Sequence, residues 1–66
     1  MTLILGEKYN VQLFGIAPRQ VVSEYIGIMQ QKTILQNEVH GFMTFNGILL
    51  VTQQEIENRV TNTSKN

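Results

Sequence analysis

The residues with the clearest chemical potential are His40, the only histidine of the chain, and Glu38, which stands two positions before it. Residues two apart in a strand share a face, so the Glu38 carboxylate could orient the imidazole as a general base. No nucleophile accompanies this pair, because the chain has no cysteine and Ser23 lacks the Gly-x-Ser-x-Gly turn that exposes a reactive serine. We therefore predict a strand-end histidine with a solvated ring, in a protein that is not an enzyme.

Metal and phosphate sites are equally poorly supported. A metal site would need His40, Glu38 and Glu24 together, whereas catalytic zinc sites use three protein ligands and favour histidine. The five glutamates are scattered and the five glycines stand singly, which disfavours a paired-carboxylate site and a glycine-rich phosphate loop. We expect no metal site and no cofactor.

The composition indicates one small domain. The 66 residues are 42% hydrophobic and 15% charged, with five basic and five acidic residues. The chain is too apolar for disorder, and its zero net charge disfavours a protein whose main task is to neutralise phosphates. A core of this size is marginal, and without cysteine no disulfide or thiolate zinc site can reinforce it. We assign residues 1–60 to the domain and 61–66 to a disordered polar tail.

No targeting segment is visible in the sequence. The apolar run near the start has three residues and no basic segment before it, and the longest apolar run is Ile48–Val51. A secretory signal needs roughly 7–15 apolar residues, and a membrane span needs about 20. We therefore expect a cytoplasmic protein that does not enter a membrane.

The strongest local signal is Asn46-Gly47, which stands between the apolar runs 42–45 and 48–51. Asn-Gly in this setting favours a β-hairpin with a type I′ turn, which needs positive φ at both central residues. With Asn46-Gly47 as the two-residue loop, Phe45 lies opposite Ile48.

Side-chain alternation divides this hairpin into two faces, both mostly apolar. The Met43 face consists of Met43, Phe45, Ile48 and Leu50. The Phe42 face consists of Phe42, Thr44, Leu49 and Val51. One small interior can cover only one of them, and an exposed apolar patch usually marks an interface. We predict that the Phe42 face is the interface of a homo-oligomer or of a complex with another protein.

Other segments also favour strands. Lys8–Phe14 alternates in polarity, and Gln20–Met29 is typical of a long strand in which Gly27 indicates a bulge or bend. We expect a short strand at Thr33–Gln36, and Val39 begins the first arm of the hairpin. The pattern therefore predicts about five antiparallel strands.

The segment after the hairpin has two interpretations. Thr52-Gln53-Gln54-Glu55 has the pattern of a capping box, which predicts a helix from Gln53 to about Val60. The alternative is a single turn at Gln53–Glu55 followed by a last strand at Ile56–Thr61. Eight residues are too few for a stable isolated helix, so packing on the sheet decides between them.

Three features resemble small SH3-like and Sm-like barrels. The opening Leu5-Gly6-Glu7-Lys8-Tyr9-Asn10-Val11 resembles the entry to their first strand, Gly27 their bent second strand, and Ile56 and Val60 their apolar end. The Asp and Asn that Sm-like proteins carry after the bent strand are absent, since Gln30-Gln31-Lys32 stands there. The resemblance is one of architecture. It implies a mainly β fold, a small SH3-like antiparallel barrel of about five strands with a short C-terminal helix or helical turn.

These features favour a non-enzymatic protein-interaction module that acts in regulation or in the assembly of a larger complex. A small inhibitor encoded by a phage or other mobile element fits equally well. The expected partner is another protein, and the chain is expected to form a homo-oligomer.

The alternative function is single-stranded RNA or DNA binding of the Sm-like kind, in which bases stack on aromatic side chains. The candidate surface combines aromatic and basic residues: Tyr9, Arg19, Tyr25, Lys32 and His40. Against it, five dispersed basic residues do not form the basic stripe that such proteins carry, and the aromatic residues are equally suited to core or interface packing.

Overall fold

The structure is a computed structural model, which describes residues 2–14 and 19–63. Five strands form one antiparallel sheet in the order β4-β3-β2-β1-β5. In chain order the elements are β1 (Lys8–Leu13), β2 (Arg19–Gln30), β3 (Val39–Thr44), β4 (Gly47–Thr52), a 3-10 turn (Gln53–Glu55), α1 (Ile56–Arg59) and β5 (Val60–Asn62). The mainly β fold with five antiparallel strands and a short helix is confirmed. The sheet is not closed in the described residues, so a barrel is not confirmed.

Strand β1 shows why the sheet has two different sides. Tyr9 and Val11 are buried on the inner side, and they lie opposite Ser23 and Val21 of β2. Lys8, Asn10 and Gln12 alternate with them and therefore lie on the outer side. This half of the outer side is polar, as in an antiparallel sheet with one face in water.

Strand β2 is irregular at Gly27, as the sequence predicts. Gly27 has φ +106°, and the pairing with β3 shifts between Tyr25 and Gly27 and again between Ile28 and Gln30. Each shift adds one unpaired residue, as a β-bulge does. The extra residues, Ile26 and Met29, lie over Gly41 of β3, where an added Cβ would come within 2.6 Å of Met29 Cγ.

The β3–β4 hairpin is confirmed, but its turn lies one residue earlier than expected. Thr44 pairs with Gly47, so the two-residue loop is Phe45-Asn46. Gly47 has φ +124°, whereas no described non-glycine residue has positive φ, so the predicted type I′ turn at Asn46-Gly47 is wrong. The Thr44 hydroxyl decides the turn, because Oγ1 accepts from Asn46 N at 3.0 Å and donates to Gly47 O at 2.8 Å. Moving the turn by one residue changes each cross-strand partner by two residues, so that Met43 lies opposite Ile48 and the paired residues keep the faces predicted for them.

The segment after β4 combines the two expected alternatives. A 3-10 turn leads into the four-residue helix α1, and β5 then pairs with β1. The Thr52 side chain makes no capping hydrogen bond, so the capping box is not formed. Thr61 and Asn62 belong to β5, which corrects the tail predicted for 61–66, while residues 64–66 lie outside the described part.

The connection between β2 and β3 contains a turn where a strand was predicted. In Thr33–Gln36, Thr33 N donates to Gln36 O at 2.8 Å, and Thr33 Oγ1 accepts from Leu35 N and Gln36 N. Because the segment bonds within itself, it pairs with no strand. Ile34 and Leu35 at its tip are exposed to solvent.

The core lies on the inner side of the sheet and under α1. Phe42 is at its centre, edge-on to the Tyr9 ring at 6.4 Å and tilted against the Tyr25 ring at 5.3 Å. The buried apolar residues are Tyr9, Val11, Tyr25, Phe42, Val51, Ile56 and Val60. No helix in residues 2–14 and 19–63 is long and apolar enough to span a membrane.

Candidate functional site

The surface expected to stack on nucleic-acid bases is not present. Tyr9 and Tyr25 are buried, and the Tyr9 hydroxyl accepts from Ile4 N at 2.9 Å. Both rings pack against Phe42, so neither can receive a base. The two basic residues of this expected surface, Arg19 and Lys32, are exposed, but Arg19 begins β2 and Lys32 follows its other end, so they form no common patch.

His40 is buried, which corrects the expected solvated ring. Its Nδ1 lies 2.7 Å from Tyr25 Oη, and its Nε2 lies 2.7 Å from Gln53 Oε1 and 3.5 Å from Glu38 Oε1. The two oxygens beside Nε2 are acceptors, so we assign the ring proton to Nε2, and the Tyr25 hydroxyl donates to Nδ1. The predicted proximity of Glu38 and His40 is therefore present, but inside a buried network.

The hydroxyl groups of Tyr25 and Ser23 are not activated as nucleophiles. Burial raises the pKa of Tyr25, and the negative charge of Glu38 raises it further, so the hydroxyl stays protonated at neutral pH. Ser23 Oγ is buried without a hydrogen-bond partner, so no base activates it. In the described residues, no three His, Asp or Glu side chains lie close enough to hold a metal ion. The hydrogen bonds of the network satisfy both ring nitrogens of the buried His40.

The hairpin face that was predicted to meet another chain lines the core. Phe42 and Val51 are 0% exposed, and Thr44 and Leu49 are half-buried. The assignment of these four residues to an interface is therefore on the wrong face. The physical reason is the register with β2, which places Tyr25 opposite Phe42, and Tyr25 and Tyr9 fill the space above it.

The Met43 face is the one that solvent reaches. Met43 is 44% exposed, Phe45 84%, Ile48 53% and Leu50 55%. Within the sheet, Met43 lies beside Ile48, and Leu50 lies beside Gly41. Met43, Ile48 and Leu50 are therefore neighbours on one surface, and Phe45 lies in the adjoining turn.

Strand β2 extends this surface across a third strand. Ile26 and Met29 reach over Gly41, and Val22, 57% exposed, points to the same side as Glu24, which pairs with Met43. We call the combined surface the outer apolar face: Val22, Ile26, Met29, Met43, Ile48 and Leu50. Ile26 and Met29 of β2 contribute to this face because of the two bulges, and Gly27 was the sequence signal for them.

The outer side of the sheet is thus divided by polarity. Across β2, β3 and β4 it is mostly apolar, with the charged Glu24 within it and the polar Gln20 and Thr52 at its ends. Across β1 and β5 it carries Lys8, Asn10, Gln12 and Thr61. An apolar partner surface would therefore bind to the half of the outer side formed by β2, β3 and β4.

No family model matches the chain, and no curated protein or solved structure shows significant similarity to it. The function is therefore inferred from the geometry of the chain itself.

Proposed function

We propose that the protein is a non-enzymatic protein-interaction module that binds its partner, another protein or a second copy, through the outer apolar face. The observation that carries this proposal is the exposure of a continuous apolar surface on three neighbouring strands. Monomeric domains rarely leave such patches uncovered unless they bind something there. An incompletely closed SH3-like barrel in the cytoplasm, with a role in regulation or complex assembly, is the setting we propose for it.

The free energy available at this face is large for so small a chain. Burying a large apolar side chain completely contributes roughly 1.5–3 kcal/mol. With the exposed fractions of Met43, Ile48 and Leu50, covering these three would contribute roughly 2–5 kcal/mol per copy. The whole fold of a 66-residue chain is expected to be stable by only about 3–10 kcal/mol. Binding at this face is therefore energetically significant for the protein.

Polarity favours a protein partner over a nucleic acid. Phosphates are bound by clustered Lys and Arg, whereas the outer apolar face has none and carries the acidic Glu24. The face is formed by aliphatic side chains and methionines, a composition that suits another apolar protein surface.

The first test is self-association with matched variants. Leu50→Lys places a charge in the outer apolar face, and Thr61→Lys places the same charge on the polar half of the sheet. We expect sedimentation velocity, from micromolar to millimolar protein, to show association for the wild type and Thr61→Lys and a monomer for Leu50→Lys. Circular dichroism confirms that the variants fold.

A second test identifies a partner if the wild type is monomeric. The tagged protein and its Leu50→Lys variant are incubated with nuclease-treated cell extract. A protein retained by the wild type and lost with Leu50→Lys supports the proposal. Tight single-stranded RNA binding that survives ~0.2 M salt would instead support the nucleic-acid alternative, since nonspecific phosphate contacts weaken steeply with salt. Equal behaviour of Leu50→Lys and Thr61→Lys in both assays would refute the proposal.

A further inference from the structure

Strand β4 ends the sheet, and its hydrogen-bonding groups can be assigned from the register. Gln53 N donates to Glu38 O at 2.8 Å, one step beyond the pair of Val39 with Thr52. Hydrogen-bonded and non-bonded pairs alternate in an antiparallel ladder. Gly47, Leu49 and Val51 therefore bond to β3, and the N–H and C=O groups of Ile48, Leu50 and Thr52 point away from it, along the open edge.

This edge lacks the features that normally prevent strand pairing. Gly47–Thr52 contains no charged residue and no proline, which are the usual protections of an exposed edge. The strand is six residues long and regular in its pairing with β3. The opposite edge is β5, which has only three residues, Val60–Asn62. Of the two edges in the described sheet, β4 is the better template for an added strand.

We propose that β4 pairs antiparallel with β4 of a second copy about a two-fold axis, with Leu50 opposite Leu50 of that copy. This register joins Ile48 to Thr52 and uses all three outward-bonding residues of each strand. A shift by two residues in either direction would leave an outward-bonding residue of each strand unpaired. The inference rests on the proposed function and names the partner and the mode of contact.

The polarity of the sheet favours a second β4 over β5 as the added strand. Pairing through β4 places the outer apolar faces of the two copies side by side, so that Ile48 and Leu50 meet apolar neighbours. Pairing β4 with β5 would place them beside Thr61 and the polar outer side of β1. An interface between two copies of the same patch also closes on itself as a dimer, whereas β4-to-β5 contacts would continue into a ring or fibre.

Edge pairing buries the β4 edge and brings Ile48 and Leu50 against the same strand of the second copy. The outer apolar faces of the two copies then lie on the same side of one extended sheet.

Amide hydrogen exchange followed by NMR tests the edge directly on the unmodified protein. We expect the amides of Ile48, Leu50 and Thr52 to exchange at least about tenfold more slowly at high than at low protein concentration, because only the dimer protects them. Leu49 and Val51 are the internal control, since they bond to β3 and should be protected at both concentrations. Equal exchange of the three edge amides at all concentrations overturns the proposal.

Disulfide trapping tests the register. Because the chain has no cysteine, Leu50→Cys and Thr61→Cys each introduce a single thiol. We expect mild oxidation to give a dimer with Leu50→Cys and little with Thr61→Cys, since directly paired strands bring Cα atoms within disulfide range. Protection of the edge amides without a Leu50→Cys dimer overturns this register.

The outcomes separate this inference from the proposed function. If Leu50→Lys dissociates an oligomer whose edge amides remain unprotected, the outer apolar faces meet face to face, and only the edge pairing is refuted. If the wild type is monomeric and captures a protein that the Leu50→Lys variant does not capture, the proposed function stands and the second copy is refuted as the partner. Slower exchange of the edge amides at high protein concentration, together with a disulfide-linked Leu50→Cys dimer, supports both the edge pairing and the proposed function.

Discussion

The hydrogen bond from Tyr25 to His40 offers a quantitative check on the buried polar network. Both residues are 6% exposed, and Tyr25 Oη lies 2.7 Å from His40 Nδ1. Tyr25→Phe removes only the hydroxyl and retains the ring that packs against Phe42. It leaves a buried acceptor without a partner, for which we expect a loss of about 1–3 kcal/mol in the free energy of unfolding.

The same bond predicts strong coupling between the two residues. Removing both partners of a buried hydrogen bond is far less harmful than removing one, because no polar atom is left unsatisfied. His40→Leu should therefore be less destabilising in the Tyr25→Phe background than in the wild type, with a coupling energy of about 1–2 kcal/mol. Gln53, the other close neighbour of His40, is exposed and can bond to water when the ring is removed.

Urea unfolding followed by circular dichroism measures these free energies. The measurements are made at one fixed pH near neutrality, where the Tyr25 hydroxyl is protonated in the folded state. Tyr9→Phe is the matched control: its hydroxyl bonds to the backbone of Ile4, which is well exposed, so its loss should be smaller. This account of the network would be refuted if the free energy of unfolding of Tyr25→Phe lay within about 0.5 kcal/mol of that of the wild type. It would also be refuted if the effects of Tyr25→Phe and His40→Leu were additive in the double variant.

Three further outcomes are expected. Gly47→Val should lower stability by about 1–2 kcal/mol through its left-handed φ of +124° rather than through a clash, whereas Asn46→Ala should have a much smaller effect in the same urea titration. Phe42→Ala should cost about 3–5 kcal/mol and leave the chain largely unfolded by circular dichroism, while Phe45→Ala should stay within about 0.5 kcal/mol; comparable losses would contradict the assignment of the inner face. The pKa of Tyr25 is raised in the folded state, which therefore holds this proton more tightly than the unfolded state does. The free energy of unfolding should therefore fall as pH rises above about 10, and in Tyr25→Phe this contribution to the fall should be missing.

Local sequence patterns predicted the positions of the strands better than they predicted which face of each strand is buried. Alternation correctly separated Met43 from Phe42, and the hairpin was found because apolar runs flank a turn signal. Which face is inner could not be read from the hairpin, since both faces are apolar. That choice depends on Tyr9 and Tyr25, which reach Phe42 from strands distant in sequence.

The candidate site was misjudged for a related reason. Tyrosine is amphipathic, and its type alone does not show whether the hydroxyl will find a partner inside the protein. Tyr25 bonds to His40, so a residue expected on a binding surface became part of the core. The turn was displaced by a single hydroxyl, that of Thr44, which no propensity scale includes. The bulges of β2 were signalled by Gly27, but their effect on Met29 requires the position of β3.

The pairing of β5 with β1 has a consequence for the order of folding. Thr63 Oγ1 donates to Lys8 O across 55 positions of sequence, and only three residue pairs join the two strands. The β3–β4 hairpin closes a two-residue loop and can form within microseconds, whereas the β1–β5 contact must wait for a long loop to close. Val60 and Ile56 therefore enter the core late. Because few contacts hold this last strand, its amides are expected to open first, and detachment of β5 would expose the Tyr9 and Val11 edge before the hairpin unfolds.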